Sequence, residues 1–181
     1  MKKSIPTANE LLRSFSYDRD AGTLTWRDDI SKSRTWRTRF VGTFAGADVF
    51  NPNGTRKCRF VTLHYKSYRI HRLIWRLENK GDVPNLIDHI DGDPFNNRIQ
   101  NLRIATHAQN MRNRGVQRNN VSGIKGVTFA KARAHLETPW VAKININGRS
   151  TNLGAYLTKG LAAVAHAKAA MRFHGEFSYI R

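Results

Sequence analysis

The fold of this chain is decided by the stretch Leu86-Ile-Asp-His-Ile-Asp-Gly-Asp-Pro-Phe-Asn-Asn-Arg-Ile-Gln-Asn-Leu-Arg-Ile-Ala-Thr-His-Ala-Gln-Asn110. Short apolar runs at about 86–90 and 98–104 predict two strands joined by a polar loop. Thr106-His-Ala-Gln109 matches a capping box, which predicts a helix that starts at about His107. Asn110 then falls in the first helical turn, and its side chain is expected to tilt back toward the preceding strand.

Four polar residues of this stretch carry a family resemblance. The order of Asp88-His89, Asn101 and Asn110 resembles the HNH motif of endonucleases with the ββα-metal fold. By that resemblance His89 is the general base, and Asp88 and Asn110 hold a divalent cation. Asn101 matches the middle position, which ties the loop to the second strand and helps to hold the histidine. The resemblance implies a DNA endonuclease of the homing or phage free-standing type, acting on double-stranded DNA.

The residue types suit this chemistry. A histidine with an ordinary pKa of about 6.5 can accept a proton at neutral pH. Phosphodiester hydrolysis also needs counter-charge for an anionic transition state, which a hard cation on oxygen ligands supplies. Mg²⁺ keeps several waters and takes few protein ligands, so one carboxylate and one amide are enough. Asparagine in place of a final histidine argues against zinc or nickel, so Mg²⁺ is expected, with Mn²⁺ as a substitute.

The charge of the chain favours a polyanionic partner. Its 181 residues include 31 Lys and Arg against 13 Asp and Glu, a formal charge of +18. Binding to DNA would release condensed counterions. The excess is +9 in 1–87, +2 in 88–121 and +7 in 122–181, so two basic arms flank the candidate catalytic stretch. Charge alone would also suit a ribosomal or membrane-surface protein, but no run approaches the roughly 18 apolar residues of a membrane span.

The termini and the cysteine content bear on the compartment. Met1-Lys2-Lys3 is not followed by an apolar run, so no signal peptide is expected. The single cysteine, Cys58, excludes an intramolecular disulfide and a multi-cysteine zinc site. It is interpreted as a small core or sheet residue. We expect a cytoplasmic protein of a bacterial or phage-infected cell, and a monomer.

Residues 1–84 are expected to form a basic α+β region. A capping box at Thr7–Glu10 predicts a first helix, and a turn then leads into a strand ending at Trp26. The remaining predictions are an exposed basic loop at 27–39, strands at 41–50 and 59–65 separated by the turn signal Asn51–Gly54, a hairpin turn at Lys66-Ser67, and a helix over 71–78. His71, which begins that helix, is interpreted as a hydrogen-bonded packing residue.

The C-terminal third predicts a sheet and a helix. Residues 115–121 hold little that could form a core and are interpreted as a linker. Strands are predicted at 122–129, 140–146 and 149–153, with the hairpin signal Asn147-Gly148 between the last two. An Ala-rich helix follows at 159–173 and is stopped by Gly175.

This arm resembles the ERF (APETALA-type) DNA-binding domain. The resemblance is carried by Gly123–Val127, Trp140–Ile144, Leu153–Tyr156 and the helix over 162–170. In that family a three-stranded antiparallel sheet packs on the helix and lies in the major groove. The candidates for DNA contact are Lys125, Trp140, Lys143 and Arg149, together with Arg112 and Arg114 after Asn110. Trp140 keeps a second interpretation, packing on the helix.

The predicted class is α+β: a small ββα-metal nuclease core, an N-terminal α+β extension, and a C-terminal three-stranded antiparallel sheet packed on one helix. The predicted segments are 1–84, 85–114, 115–121 and 122–181. The leading hypothesis is a DNA endonuclease. The alternative is a DNA-binding regulator without catalysis, or a decayed nuclease, which the charge and the C-terminal arm would also fit. RNA binding has less support, because the four tryptophans form no single-strand stacking motif.

Overall fold

The computed structural model describes residues 4–52, 54, 56–117 and 119–178. Several sequence expectations involve residues outside these ranges: the Met1-Lys2-Lys3 terminus, Asn53 of the predicted turn, Arg118 of the linker and 179–181. The chain divides into two compact units, Met1–Ala105 and Thr106–Arg181. Both contain helices and small antiparallel sheets, so the α+β class is confirmed.

The first unit has three short sheets and three α-helices among its described residues, and a 3-10 helix at Ile99–Asn101 replaces the start of the strand predicted at 98–104. In chain order these elements are α1 (Ala8–Ser14), β1 (Phe15–Asp18), β2 (Thr23–Trp26), α2 (Arg34–Phe40), β3 (Ala47–Phe50), β4 (Arg56–Leu63), β5 (Lys66–Arg69), α3 (Ile70–Asn79), β6 (Ile87–His89) and β7 (Leu102–Ile104). All neighbouring strands are antiparallel, in the orders β1-β2, β3-β4-β5 and β6-β7.

The core of the first unit forms around α3. Leu73 and Ile74 of this helix are fully buried and cluster with Phe15 and other apolar residues of the N-terminal region. Ile87 of β6 and Leu102 of β7 belong to the same cluster. Apolar burial is the main favourable term in folding. The β6–β7 hairpin, which carries the nuclease motif, is therefore held against the N-terminal region by a shared core.

The predicted loop at 27–39 is wrong, because α2 begins within it. The Ser33 hydroxyl accepts a hydrogen bond from the Trp36 N–H at 3.2 Å and caps the helix. The Trp36 ring lies with its centroid 5.4 Å from that of Trp26 and 5.3 Å from that of Phe40. A helix this short is not stable alone. The ring contacts with β2 stabilise it, and the polar composition of the segment gave no sign of them.

The β4–β5 hairpin turns earlier than predicted. The turn is at His64–Tyr65, and β5 already starts at Lys66. Both turn residues have positive φ, 48° and 59°, as in the two-residue turn that matches strand twist. Glycine or asparagine usually signals such a turn, and neither is present here. The structure also adds the unpredicted β1 and shortens the predicted 41–50 strand to β3.

In its described residues the second unit has one sheet, which lies between two α-helices in chain order. Its elements are α4 (His107–Asn113), β8 (Val127–Phe129), β9 (Trp140–Ile146), β10 (Arg149–Tyr156) and α5 (Lys159–His174). The antiparallel sheet has the order β10-β9-β8, and α5 packs on it through a core that includes Ala142, Ile144 and Ala170. The predicted arrangement of three antiparallel strands on one helix is thus present. Gly175, with φ of 55°, follows α5.

Candidate active site

The β6–β7 hairpin presents Asp88 and His89 side by side. Asp88 lies opposite Arg103, and His89 lies opposite Leu102. The Ile90 N–H donates to the Asn101 carbonyl at 2.8 Å, which continues the pairing into the loop. Successive strand residues point to opposite faces. The carboxylate and the imidazole therefore have different surroundings although they are adjacent in sequence.

Asp88 is buried in an ion pair with Arg103. The two side chains are 7% and 11% exposed, respectively. Asp88 Oδ2 accepts hydrogen bonds from Arg103 Nε at 3.1 Å and Nη2 at 2.9 Å. Burying a charge is unfavourable unless it is paired and hydrogen-bonded. Each member of the pair therefore compensates for the burial of the other.

The loop between the strands is closed by Asn101 and Asp91. Asn101 Nδ2 donates to Asp91 Oδ1 at 2.8 Å and to the Asn96 carbonyl at 2.7 Å, while its Oδ1 accepts from the Asp91 N–H at 3.0 Å. Asn96 Nδ2 donates to the other Asp91 oxygen at 2.7 Å. Partial burial opposes ionisation of Asp91, but these hydrogen bonds outweigh it and lower its pKa. Asn101 thus joins both ends of the loop without contacting His89 directly in any of these bonds.

His89 is half-buried and is held by Asn97. Its Nε2 lies 3.0 Å from Asn97 Oδ1. Asn97 is only 1% exposed, and its Nδ2 donates to the Phe95 carbonyl at 3.4 Å. That bond orients the amide so that its oxygen faces the imidazole. An amide oxygen only accepts, so the hydrogen on this contact belongs to His89 Nε2.

His71 of α3 packs against the same imidazole. The two ring centroids are 5.1 Å apart with the planes at 84°, an edge-to-face contact. His71 is 7% exposed. Burial, with a smaller contribution from the neighbouring His89, lowers the pKa of His71 to about 3. His71 is therefore neutral at physiological pH and contacts His89 as an uncharged ring.

The N-terminal region supports the loop from outside. Arg98 Nε donates to the Asp20 carbonyl at 2.6 Å. The Arg59 guanidinium of β4 lies 5.0 Å from the centroid of the buried Phe95 ring. Gly22 packs so closely on the Asn97–Arg98 backbone that an added Cβ would overlap it. These contacts fix the loop that carries Asn97.

Asn110 lies in the second unit, in the first turn of α4. Thr106 and Gln109 form the capping box that starts this helix. The Asn110 N–H donates to the Thr106 carbonyl at 3.0 Å, and its side chain is half-buried. Arg112 lies in the last turn of the helix and is half-buried, and Arg114, just beyond the helix, is exposed.

The four candidate DNA contacts of the C-terminal arm differ in environment. Lys143 is exposed, while Trp140 is partly buried against the β8–β9–α5 core and touches Phe129 at 5.1 Å between centroids. Arg149 lies opposite Ile146 in the paired strands, and paired residues share a face of the sheet. Because successive residues of β9 alternate between faces, Lys143 and Ile146 lie on opposite faces. Lys143 and Arg149 therefore lie on opposite faces too. Lys125 is half-buried, with its ammonium directed at backbone carbonyls.

Sequence reasoning did not identify three of the neighbours of the motif: Asn97, Arg103 and His71. Asn97 and Arg103 lie inside the motif stretch, and a strand pairing placed in register would have set Arg103 opposite Asp88. His71 is 18 positions from His89, and nothing in the local pattern connects them. Asp91, in the polar loop between the two predicted strands, is the acceptor on which the loop closes.

Within the described residues, no cluster of three or more His, Cys, Asp or Glu side chains is arranged to hold a metal ion. No helix in the described part of the chain is long and apolar enough to cross a membrane.

Comparisons with known proteins agree with the motif. Residues 68–112 match the HNH endonuclease family, a range that includes α3, the β6–β7 hairpin and most of α4. Protein 3.8 of Escherichia phage T7 is 32% identical over 120 residues, which cover 65% of this chain and 93% of that protein. An uncharacterized HNH endonuclease, L560, of Acanthamoeba polyphaga mimivirus is 32% identical over 112 residues, which cover 61% of this chain and 55% of the relative. No solved structure matches the chain. The motif residues, the family match and the extent of the phage relative together place this chain in the HNH endonuclease family.

Proposed function

We propose that this protein is a metal-dependent endonuclease that hydrolyses phosphodiester bonds of double-stranded DNA, with His89 as the general base. The observation that carries the proposal is that the imidazole of His89 is held in a fixed orientation by its neighbours. His89 is bonded to the buried Asn97 at 3.0 Å and packed by His71, and it follows the buried Asp88 directly on β6. A binding protein has no chemical need for an imidazole restrained in this way.

The bond to Asn97 determines which nitrogen of His89 acts. Because Nε2 donates to Asn97 Oδ1, the lone pair of the neutral ring is on Nδ1. Nδ1 would accept a proton from water as the water oxygen bonds to phosphorus. The bond from phosphorus to the 3′ oxygen then breaks, and solvent protonates that oxygen. The hydrogen bond to Asn97 persists in the imidazolium, so the ring keeps its orientation as it gains charge.

The proposed cation ligands are Asp88 and Asn110, the latter assigned from its place in the motif. An oxygen-only pair suits a hard cation that keeps most of its waters. We therefore propose Mg²⁺, with Mn²⁺ as a substitute. Such an ion would supply counter-charge to the phosphate and to the leaving oxygen.

The basic segments are proposed to hold the DNA. We propose that 85–114 is the nuclease segment, that 1–84 supports it, and that 115–121 leads to an ERF-like DNA-binding segment at 122–181. The exposed Lys143 of β9 is the proposed phosphate contact of the sheet, with Arg112, Arg114 and Arg149 at other positions. We propose a homing or phage free-standing enzyme that acts as a monomer in the cytoplasm of a bacterial or phage-infected cell. The viral origin of the two relatives supports the phage setting.

The test is strand-resolved cleavage of supercoiled plasmid and host DNA with Mg²⁺ or EDTA. His89→Ala should reduce cleavage by about 10²–10⁴-fold, since general base catalysis contributes that much, with DNA affinity unchanged. His135→Ala, an exposed histidine outside the motif, is the matched control and should cleave normally. Equal cleavage by wild type and His89→Ala would refute the proposed base.

The second candidate function is a DNA-binding regulator derived from a nuclease. One observation favours it: Arg103 already neutralises Asp88 inside the protein, as would suit a carboxylate that meets no cation. This alternative predicts DNA binding that EDTA does not affect, and no cleavage with Mg²⁺ or Mn²⁺ on any substrate.

A further inference from the structure

We infer that Lys125 is a positioning residue for the nuclease helix α4, and that the C-terminal segment thereby supports the metal ligand on this helix. The inference rests on the proposed function, because that function assigns Asn110 of α4 to the cation. Lys125 lies two residues before β8, within the second unit. Its Nζ donates to the Arg112 carbonyl at 2.5 Å and to the Arg114 carbonyl at 2.6 Å.

The end of α4 is where such a contact has most effect. The last four carbonyls of a helix have no partner within the helix, and a cation near them is favourable. α4 has only seven residues, too few for an isolated helix to be stable in water. Its capping box holds the first turn. Lys125 supplies two donors to the carbonyls at the other end.

The rest of α4 is not closely packed on the sheet. A cavity of about 550 Å³ is lined by Ala108, Met111 and Arg112 from the helix and by Lys143 and His174 from the sheet and α5. Arg112 Nη2 reaches Asn147 Oδ1 only at 3.4 Å. Where a helix faces a cavity, it loses dispersion contacts on that side. Polar contacts at its end therefore matter more for its position.

Lys125 is itself firmly placed by the segment around it. The Ile124 N–H donates to Ser122 Oγ at 3.0 Å, and Ser122 Oγ lies 2.7 Å from the Val127 carbonyl. Lys159 of α5 donates to the Ser122 carbonyl at 2.9 Å. Gly126 has φ of 73° and packs on the His166 ring so closely that no Cβ would fit. The stem of Lys125 thus starts from a fixed backbone.

The half-buried position of Lys125 favours the positioning role over a role in binding DNA. Burial lowers the pKa of Lys125, as expected for an ammonium withdrawn from water. Its ammonium donates to the carbonyl of Arg112, in the last turn of α4, and to that of Arg114, the residue that follows the helix. Lys143, in contrast, is exposed on β9 and serves as the matched control for a DNA contact.

The test compares Lys125→Met with Lys143→Met in the full-length protein. Hydrogen exchange should show faster exchange of the 108–113 amides in Lys125→Met only. The Mg²⁺ midpoint for plasmid cleavage should rise about 10-fold in Lys125→Met, the lower end of what loss of support for a ligand costs. DNA affinity measured in EDTA should stay within about twofold, whereas Lys143→Met should weaken it. Lys125→Arg keeps donors and should restore most of the protection of α4.

Two results would overturn the inference. One is unchanged exchange of the α4 amides in Lys125→Met. The other is weaker DNA binding with a reduced salt dependence and an unchanged Mg²⁺ midpoint, which would make Lys125 a phosphate contact. If wild type cleaves no DNA with any divalent ion, the proposed function fails, and the exchange measurement still decides whether Lys125 positions α4.

Discussion

Arg103 and Asp88 show how much depends on one pair of side chains. Two arginine N–H groups converge on a single carboxylate oxygen in a site where both side chains are almost fully buried. Such pairs give little net stability relative to apolar residues, but removing one member leaves the other charge poorly compensated. The pair also holds the proposed metal ligand in place on β6.

We expect Arg103→Met to lower the free energy of unfolding by about 3 kcal/mol, because it removes both charge-assisted hydrogen bonds to a buried carboxylate. Urea denaturation followed by circular dichroism measures the loss. The double variant Arg103→Met/Asp88→Asn should recover part of it, since the uncompensated charge is then gone. A double variant less stable than Arg103→Met alone would contradict this account.

His71 makes the stability of the first unit depend on pH. In the folded protein burial holds its pKa at about 3, whereas the ordinary value is 6.5. Below pH 6.5 the unfolded chain binds a proton at this position and the folded protein does not, so acid favours unfolding. Above pH 6.5 the protonation of His71 does not reduce the free energy of unfolding. Between pH 6.5 and about pH 3 that free energy falls as the pH decreases, by at most about 1.4 kcal/mol per pH unit.

The measurement is urea denaturation at several pH values between 7 and 4.5 for wild type and His71→Phe. The phenylalanine keeps a ring against His89 and cannot titrate, so its stability should fall less steeply with acid. The same slope in both proteins would show that His71 is not buried in its neutral form.

At the scale of elements, the N-terminal strands act as a scaffold for the nuclease loop. The turn between β1 and β2 touches the loop backbone at Gly22 and receives the Arg98 guanidinium at Asp20. Arg59 of β4 bonds to Asp48 at 2.7 Å and also stacks on Phe95 of the loop. The basic residues of this region therefore have structural partners inside the protein, and some of its charge is not available to DNA.

Gly22→Ala should separate this turn from the loop. Gly22 has φ of 66°, and its added Cβ would overlap the Arg98 backbone nitrogen. Gly42 has φ of 77° with open space around it, so Gly42→Ala is the matched control for backbone strain alone. We expect a loss of about 1 kcal/mol for Gly42→Ala and of at least about 3 kcal/mol for Gly22→Ala.

Thermal unfolding gives the stabilities of these variants, and plasmid cleavage reports on the loop. Cleavage should decline in Gly22→Ala and not in Gly42→Ala, since Asn97 lies in the displaced backbone. Similar losses of stability in both variants would mean that the turn does not support the loop.

For the whole molecule, the net charge of +18 predicts binding that weakens steeply with salt. By strand alternation the exposed Lys143 lies on the face of the β8–β9–β10 sheet opposite to that of Ala142 and Ile144, whereas the exposed Lys168 lies on α5, which packs on the face of those two residues. Lys143→Ala should reduce the slope of log Kd against log salt by about 1, and Lys168→Ala should leave it unchanged. Fluorescence anisotropy with duplex DNA in EDTA measures both. Equal slopes in the two variants would refute the assignment of this face.

The sequence predicted local elements well where their signals are local. The capping boxes at Thr7–Glu10 and Thr106–Gln109 and the Asn147-Gly148 turn are all present. It failed at α2, whose stability comes from the Trp26–Trp36 contact, and at the His64–Tyr65 turn, which lacks glycine or asparagine. At α2 a ring contact between separate elements outweighed the local preference.

The sequence by itself determined the order of strand, strand and helix, the position of Asp88-His89 on the first strand, the start of α4, and the basic character of the chain. Each of these depends on neighbouring residues or on composition. Only the tertiary structure decided that Arg103 pairs with Asp88, that His71 and Asn97 hold His89, and that Lys125 contacts the end of α4. Burial and hydrogen-bond geometry arise when separate segments pack together, and no local periodicity records which side chains then meet.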